Sequence, residues 1–116
     1  MSIRETMQEV VLTTGTSAPV PSDSDLRRAK YYTLNWLRRY HGYKGEMLKG
    51  LRNDWNECPV ARMLTTAHNR EYRVDGEGYD FDAWELPKRL PYWAVMFTAY
   101  FDEGYYPELE GGSGGP

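Results

Sequence analysis

Residues 91–112 read PYWAVMFTAYFDEGYYPELEGG. Pro91 suits the first position of a helix, where its missing N–H is no loss. Trp93, Phe97, Tyr100 and Phe101 then recur at helical spacing as apolar anchors. Gly104 predicts the stop of that helix near Glu103, and Tyr105 or Tyr106 can fold back onto its apolar face. Pro107 fixes the exit and Leu109 closes the edge of a core. The competing reading makes Tyr106, Glu108 and Leu109 an exposed docking patch, because the chain has more rings than so small a core easily hides. The plug is the favoured reading.

Working back from this closing helix, the pattern changes period. Glu71 to Val74 alternates polar and apolar, Asp75-Gly76-Glu77-Gly78 is a turn signal, and Tyr79 to Glu85 alternates again. Such runs predict a β-hairpin. Tyr79, Phe81 and Ala83 share one face, with Asp80, Asp82 and Trp84 on the other. A hairpin alone is marginal, so its Tyr79–Phe81 face should pack on the helices of 24–41 and 91–103.

The strongest helix signal lies further back, in SDSDLRRAKYYTLNWLRRYHG. Ser22 or Ser24 suits the N-cap, Asp23 and Asp25 complement the dipole, and Gly42 stops the helix. Leu26, Ala29, Thr33, Trp36, Leu37 and Tyr40 form one apolar stripe. Arg28, Tyr31, Asn35, Arg38 and Arg39 form another face. A short helix is expected over Lys44 to Asn53, weakened by Gly45 and Gly50, and another from Pro59, carrying Val60, Ala61, Met63 and Leu64. The fold class is therefore a small α+β single domain: three N-terminal helices, a hairpin and a closing helix. Residues 1–21 read as a flexible arm, 22–110 as the domain and 111–116 as a disordered Gly/Ser tail.

Charge is distributed unevenly. The chain has 116 residues and a net charge of −3. Residues 26–52 hold eight Lys or Arg against Glu46, and residues 71–110 hold ten acids against three bases. The split marks either a binding surface or two halves that attract each other. Basic residues interleaved with rings suit phosphate contact and stacking, which makes nucleic acid an alternative partner; an acidic chain argues against it.

Chemistry-bearing signals are sparse. A single cysteine, Cys58, excludes an internal disulfide. Its place at a helix N-terminus would lower a thiol pKa, yet no hydrolase signature surrounds it, and a buried structural thiol is the better reading. The acids between Asp75 and Asp82 lack the ligand order of a calcium loop. No cofactor, metal or catalytic residue is expected. No apolar run approaches a membrane span, and residues 1–11 do not read as a signal peptide, so the cytosol is the expected location.

Two motifs carry a resemblance. WNECPVARML, from Trp55 to Leu64, resembles the N-C-P-[LV]-A-x-x-L element of small proteins encoded by phages of actinobacteria and by their hosts. Leu90 to Leu109 is similar to the closing element of the same set. Glu57 departs from the pattern by standing between Asn56 and Cys58, and the basic helix has no counterpart in it. The resemblance implies a phage or prophage origin and no particular reaction. The expected function is then an accessory protein that binds another protein, host or phage, in the bacterial cytosol. Nucleic-acid binding and a virion structural role are the alternatives, and self-association is open. The candidate partner-binding residues are Arg28, Arg38 and Arg39 on the basic face, and Asp80, Asp82, Trp84 and Tyr106 on an acidic-aromatic rim.

Overall fold

The computed structural model describes residues 20–80 and 87–111. The architecture is α+β: three α-helices and a small antiparallel sheet. Helix α1 spans Asp23–His41. Its start is a capping box, in which Ser22 Oγ accepts from the Asp25 amide at 3.0 Å while Asp25 accepts from the Ser22 amide at 3.1 Å. Gly42 ends it in the left-handed region at φ 70°. Helix α2 spans Pro59–His68, with Cys58 at the cap position and Asn69 left-handed behind it. Helix α3 spans Tyr92–Asp102.

The ending of α3 bears out the reading of its sequence. Gly104 takes φ 91°, the Gly104 amide donates to Phe101 O, and the Tyr105 amide donates to Tyr100 O at 3.1 Å. This is the double hydrogen bond of a Schellman ending, and the rings of Tyr100 and Tyr105 meet across it. Tyr106 turns back against Phe97, with ring centroids 5.0 Å apart, and Leu109 is buried behind it.

Helices α1 and α3 form the main layer. Thr33 Oγ1 donates to Trp93 O near one end, and Tyr106 Oη donates to Leu26 O at the other, so the helices run in opposite directions. Ala29, Thr33 and Leu37 of α1, Phe97 and Phe101 of α3, and Val60, Met63 and Leu64 of α2 are all but excluded from water. Burying the Leu, Phe, Val and Met side chains among them supplies about 1.5–3 kcal/mol each.

The sheet has the order β1 (Arg73–Asp75), β2 (Gly78–Asp80), β3 (Lys88–Arg89). The expected hairpin is present. Val74 pairs with Tyr79 and both are buried, while Arg73 pairs with Asp80 on the opposite face. The Arg73 guanidinium meets Asp80 Oδ1 at 2.7 Å, a cross-strand ion pair. Tyr79 packs on Trp36 and His41 of α1, as expected of that face. Phe81 and Ala83 lie outside the described residues. The third strand, set by Gly78 opposite Arg89 and Tyr79 opposite Lys88, was not anticipated.

Two expectations need correction. The first concerns 44–53, which is not a helix but an irregular segment. The Gly50 amide donates to Leu109 O, the Gly111 amide donates to Gly50 O, and the Leu51 amide donates to Glu57 O. Those partners are distant in sequence, so the backbone groups of this segment are satisfied across the fold rather than along it. Two helices, not three, precede the sheet. The second concerns Tyr40, which belonged to the expected stripe. It is 71% exposed, one residue before the helix ends.

Of the charge split, Lys30–Glu108 at 3.7 Å and Arg52–Glu110 at 3.4 Å join the two halves. Both pairs are solvated, where such contacts contribute up to about 1 kcal/mol.

Candidate protein-docking face

The outer side of α1 continues onto the start of α3. Arg28, Tyr32, Asn35 and Arg39 follow one another at spacings of three or four residues, which sets them in a row along the helix. Tyr31 flanks that row. Tyr32 reaches Trp93 at the N-terminus of α3, with ring centroids 5.8 Å apart, and Tyr92 meets Trp93 edge-on at 5.2 Å. Tyr31 and Tyr32 meet edge-on at 5.2 Å. The result is an unbroken chain of four rings, Tyr31–Tyr32–Trp93–Tyr92, bridging two helices.

These rings are not core. Tyr31 is 64% exposed and Tyr92 is 67% exposed, and Tyr32 is also exposed. Trp93 is partly buried and anchors the chain, since its carbonyl accepts from Thr33. The Arg28 guanidinium carbon stands 5.9 Å from the Trp93 ring centroid, a cation–π distance, and also pairs with Asp25 at 3.4 Å. Arg27, Arg28, Arg38 and Arg39 are exposed, and residues 26–41 contain no acid. Tyrosine, tryptophan and arginine are the residues that dominate binding energy in protein interfaces, and here they are contiguous.

No known protein-family model matches the chain, and neither does any curated protein or any solved structure.

The expected partner-binding residues divide. Arg28 and Arg39 stand on the ring-bearing face. Arg38 is exposed too, but it donates to Gly45 O at 2.8 Å and lies 3.9 Å from Glu46, so it holds the loop after α1. Asp80 is engaged by Arg73 on the sheet, away from this face. Asp82 and Trp84 lie outside the described residues. Tyr106 requires correction as a binding residue: it is 3% exposed, packs on Phe97, and its hydroxyl is held by Leu26 O. Burial drives its hydroxyl pKa upward, with smaller contributions from Tyr100 and Glu108. Of the expected acidic-aromatic rim, the buried Tyr106 therefore offers no surface for Asp80 to share. Tyr32, Tyr92 and Trp93 were not singled out from the sequence as binding residues. The signal was there in two adjacent aromatic pairs, Tyr31-Tyr32 and Tyr92-Trp93, each of which cannot bury both members on one helix face.

Cys58 is buried, and that burial pushes its thiol up to about 11 despite the helix N-terminus it occupies. His41 and His68 bond each other, Nδ1 to Nε2 at 2.9 Å, and His41 also meets the Trp36 and Tyr79 rings edge-on. No group of three His, Cys, Asp or Glu side chains that could hold a metal ion occurs among the described residues. No described helix is long and apolar enough to cross a membrane.

Proposed function

We propose that this protein is a binding module, working without catalysis, whose α1–α3 face docks an acidic segment of another protein. The observation that carries the proposal is the four-ring chain Tyr31–Tyr32–Trp93–Tyr92, exposed at its three tyrosines and set among arginines on a helix stretch, residues 26–41, without an acid. Rings supply the apolar centre of an interface, and arginines supply charge-assisted bonds at its edge. Arg39 and Arg28 flank the rings along α1, so an acidic partner helix or strand would meet a charge at each end. The origin implied by the sequence resemblance, a phage or prophage of actinobacteria, belongs to the same proposal, with the bacterial cytosol as the place of action.

The test compares the wild-type chain with a Tyr92→Ser, Arg39→Glu double variant as baits in a nuclease-treated actinobacterial lysate. The substituted residues are exposed, so the variant should keep the unfolding midpoint of the wild type. A protein retained by the wild type and lost by the variant, then rebuilt as a purified pair, supports the proposal. Equal recovery by both baits refutes it. Recovery that depends on nucleic acid and falls steeply with salt would replace it with a nucleic-acid interface on the same arginines.

A further inference from the structure

The chain has two histidines, and the fold brings them together. His41 is the last residue of α1 and His68 the last of α2. His41 Nδ1 and His68 Nε2 stand 2.9 Å apart, although 27 positions separate them in sequence. One ring is held and the other is accessible. His41 is half-buried, edge-on to Trp36 with ring centroids 4.7 Å apart and to Tyr79 at 5.5 Å. Its second nitrogen, Nε2, faces the hydroxyl of the buried Tyr79 at 3.4 Å. His68 is exposed and tilts against Tyr72, with centroids 5.0 Å apart.

The spacing of the two nitrogens suits more than a hydrogen bond. Two metal–imidazole bonds of about 2.0–2.1 Å set their nitrogens about 2.8–3.0 Å apart at a right angle, and about 3.3–3.4 Å apart at a tetrahedral angle. The observed 2.9 Å is the right-angle value. We infer that His41 Nδ1 and His68 Nε2 bind one late first-row transition-metal ion, copper(II) or nickel(II). Imidazole ligands at right angles suit those ions. Three further features fit. Both residues end helices, where the backbone carries negative partial charge and favours a cation. With Nδ1 on the metal, His41 keeps its proton on Nε2 and donates it to Tyr79 Oη, the kind of outer hydrogen bond that ligating histidines make. The exposure of His68 leaves the remaining positions to water. The Lys88 ammonium acts on His41 and opposes the ion, and no third His, Cys, Asp or Glu completes the set among the described residues. Two neutral imidazoles therefore select the ion with the highest affinity for them, which is copper(II), and pass over magnesium. Once bound, the ion clamps the end of α1 to the end of α2. Neither histidine belongs to the docking face, so the inference is independent of it.

The experiment titrates the full-length, untagged protein, stripped with EDTA and dialysed, with copper(II) chloride in a weakly coordinating buffer at neutral pH. Magnesium chloride is the control. Affinity is read by calorimetry, ligated imidazoles are counted by pulsed EPR, and the clamp is read as a shift of the urea midpoint. One equivalent of copper with two imidazoles and a raised midpoint is expected, and none of these with magnesium. His68→Gln alters an exposed side chain. It should weaken copper binding by roughly tenfold or more and leave one imidazole in the signal. His41→Gln should do the same, and His68→Gln decides alone if the His41 variant does not fold. Equal affinity of the wild type and the folded His68→Gln variant would mean an adventitious ion only, and would overturn the inference. A signal from fewer than two imidazoles, or a midpoint that copper does not raise, would overturn it too.

Discussion

The hydroxyl of Tyr106 donates to the carbonyl oxygen of Leu26 at 2.7 Å, across 80 positions of sequence. One bond ties the segment after α3 to the first turn of α1. The ring of Tyr106 packs on Phe97 at the same time, so a single side chain joins the two helices by packing and by polarity. Tyr106→Phe keeps the ring and leaves a partly buried carbonyl with one partner fewer. It should lower the free energy of unfolding by about 1–2 kcal/mol. Tyr106→Ala also removes the ring and should cost about 3–5 kcal/mol. Urea unfolding of the two variants separates the contributions; an unchanged Tyr106→Phe would deny the bond any role, and equal losses would deny the ring one.

Gly50 stands where no side chain fits. A Cβ there would press on the Glu57 carbonyl and lie 2.7 Å from Pro59 N and 2.8 Å from Cys58 C, all of them backbone atoms that cannot swing aside. Gly50→Ala should therefore destabilise by more than about 3 kcal/mol, at the upper end of overpacking effects. Gly76→Ala meets open space and is the matched control. A Gly50→Ala protein as stable as its control in urea would rule out the close approach.

Acid should loosen the fold before its carboxylates titrate. Burial, then the His68 imidazole, then the Lys88 ammonium hold His41 below the ordinary histidine range. A depressed histidine pKa means that the unfolded chain binds the proton first. Stability is then full above about pH 6.5 and falls as pH drops through the lower folded value. The hydrogen bond between His41 and His68 survives one shared proton but not two. Urea midpoints measured from pH 7.5 to pH 5.5 should decline, and His41→Gln should flatten the decline. A flat profile in the wild type would contradict this.

Cys58 should be inert while the domain is folded. With its thiol raised from 9.0 to about 11, it carries about a hundredfold fewer thiolates near neutral pH than the unperturbed group. Burial adds steric protection. A disulfide reagent such as DTNB at pH 8 should react at the rate of unfolding and to completion in urea. Rapid labelling of the native protein would show that the helix dipole prevails over burial.

How legible this fold was in the sequence depended on how local each determinant is. The Ser22 cap (one of the two serines read as candidates), the Pro59 start of α2, the Asp75–Gly78 turn and the Gly104 stop are all written within a few residues, and each formed where read, while the reciprocal bond from Asp25 back to Ser22 was not foreseen. The segment 44–53 was misread because Met47, Leu48 and Leu51 fit a helical face, while the hydrogen-bond partners that override it lie at Glu57, Leu109 and Gly111. Strand β3 is two residues of Lys and Arg, without any apolar alternation, and exists because β2 offers it an edge. The docking face was half visible. Arg28, Tyr31 and Arg39 follow from the helical wheel of α1, but Tyr92 and Trp93 join them only through the crossing of α1 with α3. The fate of Tyr106 was the same problem in reverse, since its hydroxyl partner is 80 residues away.

The clip between Gly50 and the stretch from Leu109 to Gly111 has a consequence for how the protein is made. A nascent chain that has released α1, α2 and the sheet from the ribosome still lacks the strip that covers Phe97 and completes the backbone of Gly50. Folding of the domain therefore waits for residue 111 to clear the exit tunnel, and contacts spanning so much sequence slow the search further. During that interval the aromatic interior stands open to chaperones, and a stalled or prematurely terminated translation product would be a substrate for proteolysis rather than a smaller version of the fold.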